Sequence, residues 1–240
     1  MDPSQTEPRP CLVVEAATIG YGQAWELQKR LRDRVASGDL PGVLLLLEHP
    51  HVLTLGRRGD ASDILATPEE LEELGVEVHH VDRGGEVTYH GHGQLVGYPI
   101  VAIRRWSMGP LAYIRGIERL LVATLADFGI HAESDDRPTG VWVGGAKIAA
   151  IGVKISRGVT THGFALNVDP DLTYFDRIVP CGMPEVPVTS MADLRHGPIA
   201  VDEVVPALTA QFAEMFGIAV RHATLEDLTE TGSRPIASVR

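Results

Sequence analysis

The chain has 240 residues with 44% apolar side chains and a mean hydropathy of +0.04, enough to bury on the order of 70% of its unfolded surface without disulfides to staple it. It carries 32 acidic against 21 basic residues, net −11, and only 5% aromatics, so the basic field and stacking platforms that nucleic-acid binding draws on are missing. Two cysteines, Cys11 and Cys181, cannot build a secreted-type disulfide framework, the opening residues lack a signal-peptide pattern, and no apolar run approaches the ~18 residues that span a bilayer; the composition implies a soluble, cytoplasmic protein with no membrane partner.

In chain order, three prolines among polar groups make residues 1–10 a mobile tail, followed by a single domain over 11–223 and a second mobile tail over 224–240. Apolar Ala24, Leu27, Leu31 and Val35 fall at helical spacing among charged neighbours, which predicts a helix over 21–35 closed by Gly38. Thr67 before Pro68, Glu69 and Glu70 supplies a cap, a first-turn proline and acids that suit the helix dipole, so a short helix runs to Gly75. Longer stripes run from Leu111 to Phe128 and from Val204 to Met215, each closed by a glycine, giving four helices in all. Strands are expected over 12–16, 43–48, 52–55, 76–81, 94–103, 141–143, 147–155 and 162–168. The pattern fits an α+β fold, a mixed β-sheet with flanking helices, better than a doubly wound sheet.

Phosphate-loop, nucleophile-elbow, C-x-x-C and H-E-x-x-H motifs are absent, and the glycines from Gly91 to Gly97 miss the dinucleotide fingerprint by one position and precede a strand. Three other segments carry chemistry. In the first, 82–94, four glycines interleave with Arg83, Tyr89, His90 and His92, bringing backbone N–H groups close to a ligand or forming an irregular turn region. A metal reading of His90, His92 and His162 lacks an obvious further ligand, so no metal is expected. The second places Gly144-Gly145 as a hairpin turn before 147–155. Strict alternation puts Lys147 on the face of Ala149, Ile151, Val153 and Ile155, where it is partly desolvated as a proton acceptor or anion partner, unless it snorkels to water. In the third, Pro180-Cys181-Gly182 puts a thiol on a constrained loop, as a nucleophile or an inert core cysteine.

Together these segments resemble the lipoyl(octanoyl) transferase family. The matching blocks are Arg83-Gly84-Gly85-x-Val87-Thr88-Tyr89-His90-Gly91-x-Gly93-Gln94-Leu95-Val96-x-Tyr98-Pro99, then 147–153, 161–168 and 179–182, with His92 standing where the family usually has proline. The resemblance implies a fold like that of biotin and lipoate protein ligases. It also implies transfer of octanoyl from octanoyl-acyl carrier protein to Cys181 as a thioester, then to a lysine of a lipoyl domain. Acceptors would be the lipoyl domains of 2-oxoacid dehydrogenase complexes and the glycine cleavage H protein. In this scheme Lys147 favours the Cys181 thiolate and no cofactor is needed; the sequence does not give an oligomeric state, and a monomer is the default expectation. The acyl group would lie against Arg83, Gly84, Gly85, Glu86, Val87, Thr88, Tyr89 and His90, then Ala150, Ile151 and Gly152, and finally Gly163, Phe164 and Ala165.

Acyl carrier proteins are acidic, so a net −11 opposes their approach unless the charge is unevenly placed; Arg57-Arg58 and Arg104-Arg105 are the candidate docking pairs. The rival readings are an ATP-dependent lipoate or biotin ligase on the same fold, a noncatalytic acyl-binding protein and a zinc hydrolase.

Overall fold

The computed structural model describes residues 8–134, 137–179 and 186–229. Its centre is a seven-stranded mixed sheet in the order β10-β1-β2-β6-β9-β8-β7, made of Ile218–His222, Arg9–Thr18, Val43–Glu48, Gln94–Ile100, Val159–Asn167, Ala146–Ser156 and Val141–Val143. Strand β1 runs parallel to both β2 and β10, and the remaining neighbours are antiparallel. A separate three-stranded sheet, β4-β3-β5, comprises Glu77–His80, Val52–Leu55 and Val87–His90.

Strand β2 is apolar throughout its first five residues because both faces of the large sheet are covered. Leu44 and Leu46 join the core under α3 (Pro110–Asp127) and α5 (Val201–Phe216), while Val43, Leu45 and Leu47 face α1 (Tyr21–Ser37). Helix α1 buries the predicted stripe Ala24, Leu27, Leu31 and Val35 and ends at Gly38, whose left-handed φ of 95° lets its N–H reach the Arg34 carbonyl. Helix α2 (Pro68–Glu73) opens with a reciprocal Thr67/Glu70 capping box and is short, with Leu71 its one buried residue.

The mixed, helix-flanked sheet agrees with the α+β expectation, while several element assignments need correcting. Strand β5 lies inside the glycine-rich segment that also reads as an irregular turn, and strand β10 falls in residues given no element. Helices α4 (Met191–Arg195) and α6 (Leu225–Thr229) bring the described helices to six rather than four. Both expected tails also overlap ordered structure. Strand β1 begins at Arg9, and α6 occupies 225–229, with Leu228 buried and its carbonyl accepting a 2.5 Å hydrogen bond from Arg34 Nη1. Among the described residues no helix is long and apolar enough to cross a membrane.

Candidate active site

Where α1 does not cover the large sheet, the small sheet and the loop before β5 roof a cleft. Its floor is β6, β9 and β8, through Gln94 and Tyr98, through 162–165 and Asn167, and through Lys147 and 150–152. Its roof is Arg83 to His90; Tyr21 from the start of α1 closes one side, and Phe175, Val186 and Val188 contribute from the chain before and after residues 180–185. Lys147 and every residue expected against the acyl group, from Arg83 to His90, from Ala150 to Gly152 and from Gly163 to Ala165, therefore line one cavity. Cys181 lies outside the described residues.

Lys147 reaches this cavity by a route that strict alternation misses. Strand β7 pairs Trp142 with Lys147 but Val141 with Ala149, so β8 carries one extra residue, a β-bulge at Ile148. The bulge shifts the phase. Ala149 turns into the helix-side core, with Ile151, Val153 and Ile155 packed against it, while Lys147 lines the cavity with Ala150 and Gly152. The predicted common face of Lys147 with Ala149, Ile151, Val153 and Ile155 is thus corrected. The lysine is 8% exposed, its Nζ 4.7 Å from the centre of the Trp142 ring, a cation–π contact that keeps the ammonium over an aromatic face. Its backbone is clamped on the other side, where Lys147 N–H donates to the Pro187 carbonyl at 2.8 Å and Thr189 N–H to the Lys147 carbonyl at 3.0 Å.

That clamp is braced from the floor. Asn167 Nδ2 donates to the Thr189 carbonyl at 3.0 Å, and its Oδ1 accepts from Gln94 Nε2 at 3.0 Å. The Gln94 oxygen in turn faces His90 Nδ1 at 3.3 Å. Buried amides joined in this way fix one another's orientation.

The loop 83–86 is held against the floor by its own geometry. Arg83 donates through Nη2 to the Thr54 carbonyl at 2.6 Å and hydroxyl at 2.8 Å, and Gly84 N–H donates to the Val153 carbonyl at 3.0 Å. A Cβ on Gly152 would stand 3.0 Å from both Arg83 Cδ and the Gly84 oxygen, and one on Gly163 would overlap the Gly97 carbonyl. Glycine at 152 lets roof and floor close to this spacing, and glycine at 163 lets the floor strands β9 and β6 approach one another.

At the end of the cleft away from Lys147 lies a cluster of polar side chains in which sequence reasoning weighed only His90, as an acyl-site residue, and His90 and His162 as metal ligands, leaving Tyr21, His49, Asp82 and Lys154 without a role. His162 is 1% exposed, has φ of 56° inside strand β9, and is paired with Val153. Burial pushes its imidazole down to about 4 against the pull of Asp82, so the neutral ring donates from Nε2 to Asp82 at 2.9 Å and presents Nδ1 to the Tyr21 hydroxyl at 3.5 Å. Burial also pushes on Asp82, upward, but hydrogen bonds from Lys154 and His162 outweigh it and hold the carboxyl below its ordinary range. Behind them His49, lowered to about 4 chiefly by burial, donates from Nδ1 to the Ile19 carbonyl and accepts the Tyr98 hydroxyl at 2.7 Å. Burial pushes His90 well below the ordinary imidazole range, and its ring stacks on Tyr21 with centroids 5.9 Å apart. The available signal was compositional, histidines at 49, 90 and 162 in or beside apolar strands; the Asp82–Lys154 pair depends on a loop-to-strand contact that no local pattern encodes.

The two arginine pairs separate in space. Arg57 and Arg58 adjoin the cleft's roof, their N–H groups donating to the Arg83 and Gly85 carbonyls, and Arg58 pairs with Glu86 at 3.0 Å. The Arg104 side chain sits by Gly158 at the β8–β9 turn and the Arg105 guanidinium by Gly38 at the end of α1, with β8 running nine residues, roughly 30 Å, from Lys147 to its end at Ser156. His92 is exposed and stands edge-on to His51, centroids 5.7 Å apart.

Comparison with known proteins places this architecture. A family model described as the lipoyl protein ligase A/B catalytic domain matches residues 20–213. An octanoyltransferase of Gloeobacter violaceus is 48% identical over 217 residues, covering 90% of this chain and 95% of that protein. One of Solibacter usitatus is 50% identical over 208 residues, 87% and 94%. Among solved structures, lipoate-protein ligase A bound with ATP superposes with a TM-score of 0.70 at 21% identity, over 93% of this chain and 92% of that one. A bipartite lipoate protein ligase from Thermoplasma acidophilum gives 0.71 at 18% identity, over 93% and 91%, two likenesses that concern the fold. This chain belongs to the lipoyl protein ligase A/B catalytic-domain family, and within it to the octanoyltransferases.

Proposed function

We propose that this chain moves an octanoyl group from octanoyl-acyl carrier protein to a lipoyl domain through a thioester on Cys181. The observation that carries the reading is the convergence of Lys147 and all three acyl segments on one cavity. Cys181 stands two residues after Val179, whose N–H is tied to the Asp63 carbonyl, and five before Val186, which lines that cavity. In the first step the Cys181 thiolate attacks the donor's thioester carbonyl. The carrier's sulfur leaves and takes a proton from the Lys147 ammonium. In the second the ε-amine of the acceptor lysine attacks the enzyme thioester, the neutral Lys147 takes a proton from that amine, and the amide forms as the Cys181 thiolate is released. Each bond broken is replaced, and the proton lost to the carrier's thiol is made good by the one the acceptor amine gives up. The energy arrives in the donor thioester, so no nucleotide is consumed. Acceptors are lipoyl domains of 2-oxoacid dehydrogenase complexes and the glycine cleavage H protein, all encountered in the cytoplasm.

Burying about seven alkyl carbons at ~0.8 kcal/mol each offers about 5 kcal/mol before ordering costs, which an apolar cleft floored by Ala150, Gly152 and Ala165 can supply. The test is intact-protein mass after incubation with octanoyl-acyl carrier protein in ATP-free buffer. An octanoyl adduct on the wild type and none on Cys181→Ser is expected; adduct formation that needs ATP would assign the chain to the ligase reaction instead.

A further inference from the structure

Four elements meet at the end of the cleft away from Lys147: Tyr21 from α1, Asp82 ahead of the roof loop, Lys154 from β8 and His162 from β9. We infer that this hydrogen-bonded group is the end wall of the acyl channel and sets the length of chain the enzyme accepts, an inference that rests on the acyl-transfer reading above. The Gly84 N–H bond to the Val153 carbonyl lays the roof loop across β8 at the residue paired with His162, so the channel stops there. Residues 150–152, the part of β8 that lines the cavity just ahead of this stop, span about 10 Å at ~3.3 Å per strand residue. A zigzag alkyl chain advances about 1.25 Å per carbon, so eight carbons fill that length and the terminal methyl meets His162 and Tyr21.

A wall of this kind does not yield as an apolar one does. A leucine or methionine changes rotamer to admit two more carbons, whereas the His162 ring is fixed from three sides. Its backbone φ of 56° is a left-handed setting rare outside glycine, and its N–H donates to Gln28 Oε1 at 2.7 Å. Its Nε2 is bound to Asp82, itself held by Lys154. Pushing the ring aside would leave a buried imidazole unpaired and cost Asp82 one of its two hydrogen bonds.

The experiment offers the full-length enzyme an equimolar mixture of hexanoyl, octanoyl, decanoyl, dodecanoyl and tetradecanoyl thioesters of N-acetylcysteamine and reads the ratio of acyl adducts by intact mass. Glycine adopts φ of 56° without strain, so His162→Gly removes the ring while keeping the strand path. The dodecanoyl-to-octanoyl ratio is expected to rise at least tenfold over wild type, within the range that added methylenes command in an apolar pocket. Asp82→Ala, changed at a residue 38% exposed, removes the ring's anchor and should move the ratio in the same direction by a smaller factor. Being a ratio, the readout is insensitive to lost stability or lost overall activity. Wild-type loading of octanoyl with an unchanged profile in both variants overturns the end-wall assignment alone. Absence of any adduct on the wild type overturns the transfer reading and the end wall with it.

Discussion

The two ends of the cleft are held by opposite means. At the Lys147 end the functional side chain rides on backbone hydrogen bonds, to Pro187 and from Thr189, with an aromatic face beneath it. At the His162 end the backbone is in an unfavourable setting and side chains do the holding, in a chain from Lys154 through Asp82 to Tyr21. Backbone bonds are indifferent to sequence and survive substitution, whereas a side-chain chain of buried polar groups fails when any member is removed. The reacting end is therefore open to single-residue chemistry tests, and the far end to tests of specificity and acid sensitivity.

The largest expected effect is at the Lys147 end. Lys147→Ala leaves the backbone clamp in place and removes the proposed proton carrier. It should slow transfer from a preformed acyl enzyme to a lipoyl domain by ~10²–10⁴, read by single-turnover mass spectrometry; an unchanged rate would remove Lys147 from the second step. A smaller effect is expected for the brace. Asn167→Leu removes the bond to the Thr189 carbonyl and one of the two acceptors of the Gln94 amide, which keeps the Tyr89 carbonyl at 3.3 Å, a cost of about 1–3 kcal/mol. It should lower kcat more than it raises KM for a small thioester donor, because the disturbance reaches the segment paired with Lys147 rather than the acyl floor.

Acidity separates the ends. His49 and His162 titrate near 4 in the folded chain against about 6.5 unfolded, so between these values the unfolded state binds more protons and stability rises with pH. The Asp82 shift has the same sense, present above its unfolded value and lost in acid. Each imidazole contributes up to about 1.4 kcal/mol per pH unit over that window. Hydrogen-exchange protection at pH 5 relative to pH 7.5 should consequently fall around Tyr21 and His162 before it falls around Lys147 and Ala149; a uniform loss would merge the two ends. The smallest effect is at the roof. Arg57→Glu with Arg58→Glu should raise KM for the carrier-bound donor about tenfold, with no change for a small octanoyl thioester, whereas the same reversal at Arg104 and Arg105 should do neither. Equal effects on both donors would dismiss a docking role.

The sequence made the amphipathic helices legible because periodicity reports directly on which face is covered, as Ala24, Leu27, Leu31 and Val35 illustrate. It also marked the segments that converge on the cleft, through glycines whose purpose is close approach at Gly152 and Gly163. The phase of Lys147 was not legible, since alternation assumes an unbroken ladder and one inserted residue at Ile148 reverses it. Strand β5 was obscured by flanking glycines, and β10, five residues following Gly217, has too short a pattern to separate from a tail. The far-end cluster was invisible for a different reason: its hydrogen-bonded pairs are 72 to 141 residues apart, and only the register of β8 on β9 and the path of the roof loop bring them together.

The pairing of β10 with β1 carries a consequence for how the molecule is made. Residues 9–13 of β1 align with 218–222 of β10, so a nascent chain emerging from the ribosome keeps that margin of β1 unpaired until residues 218–222 have been synthesised. An unpaired margin of that kind invites association with other incomplete chains. Ending translation at residue 217 would accordingly favour aggregates over a shortened but functional enzyme.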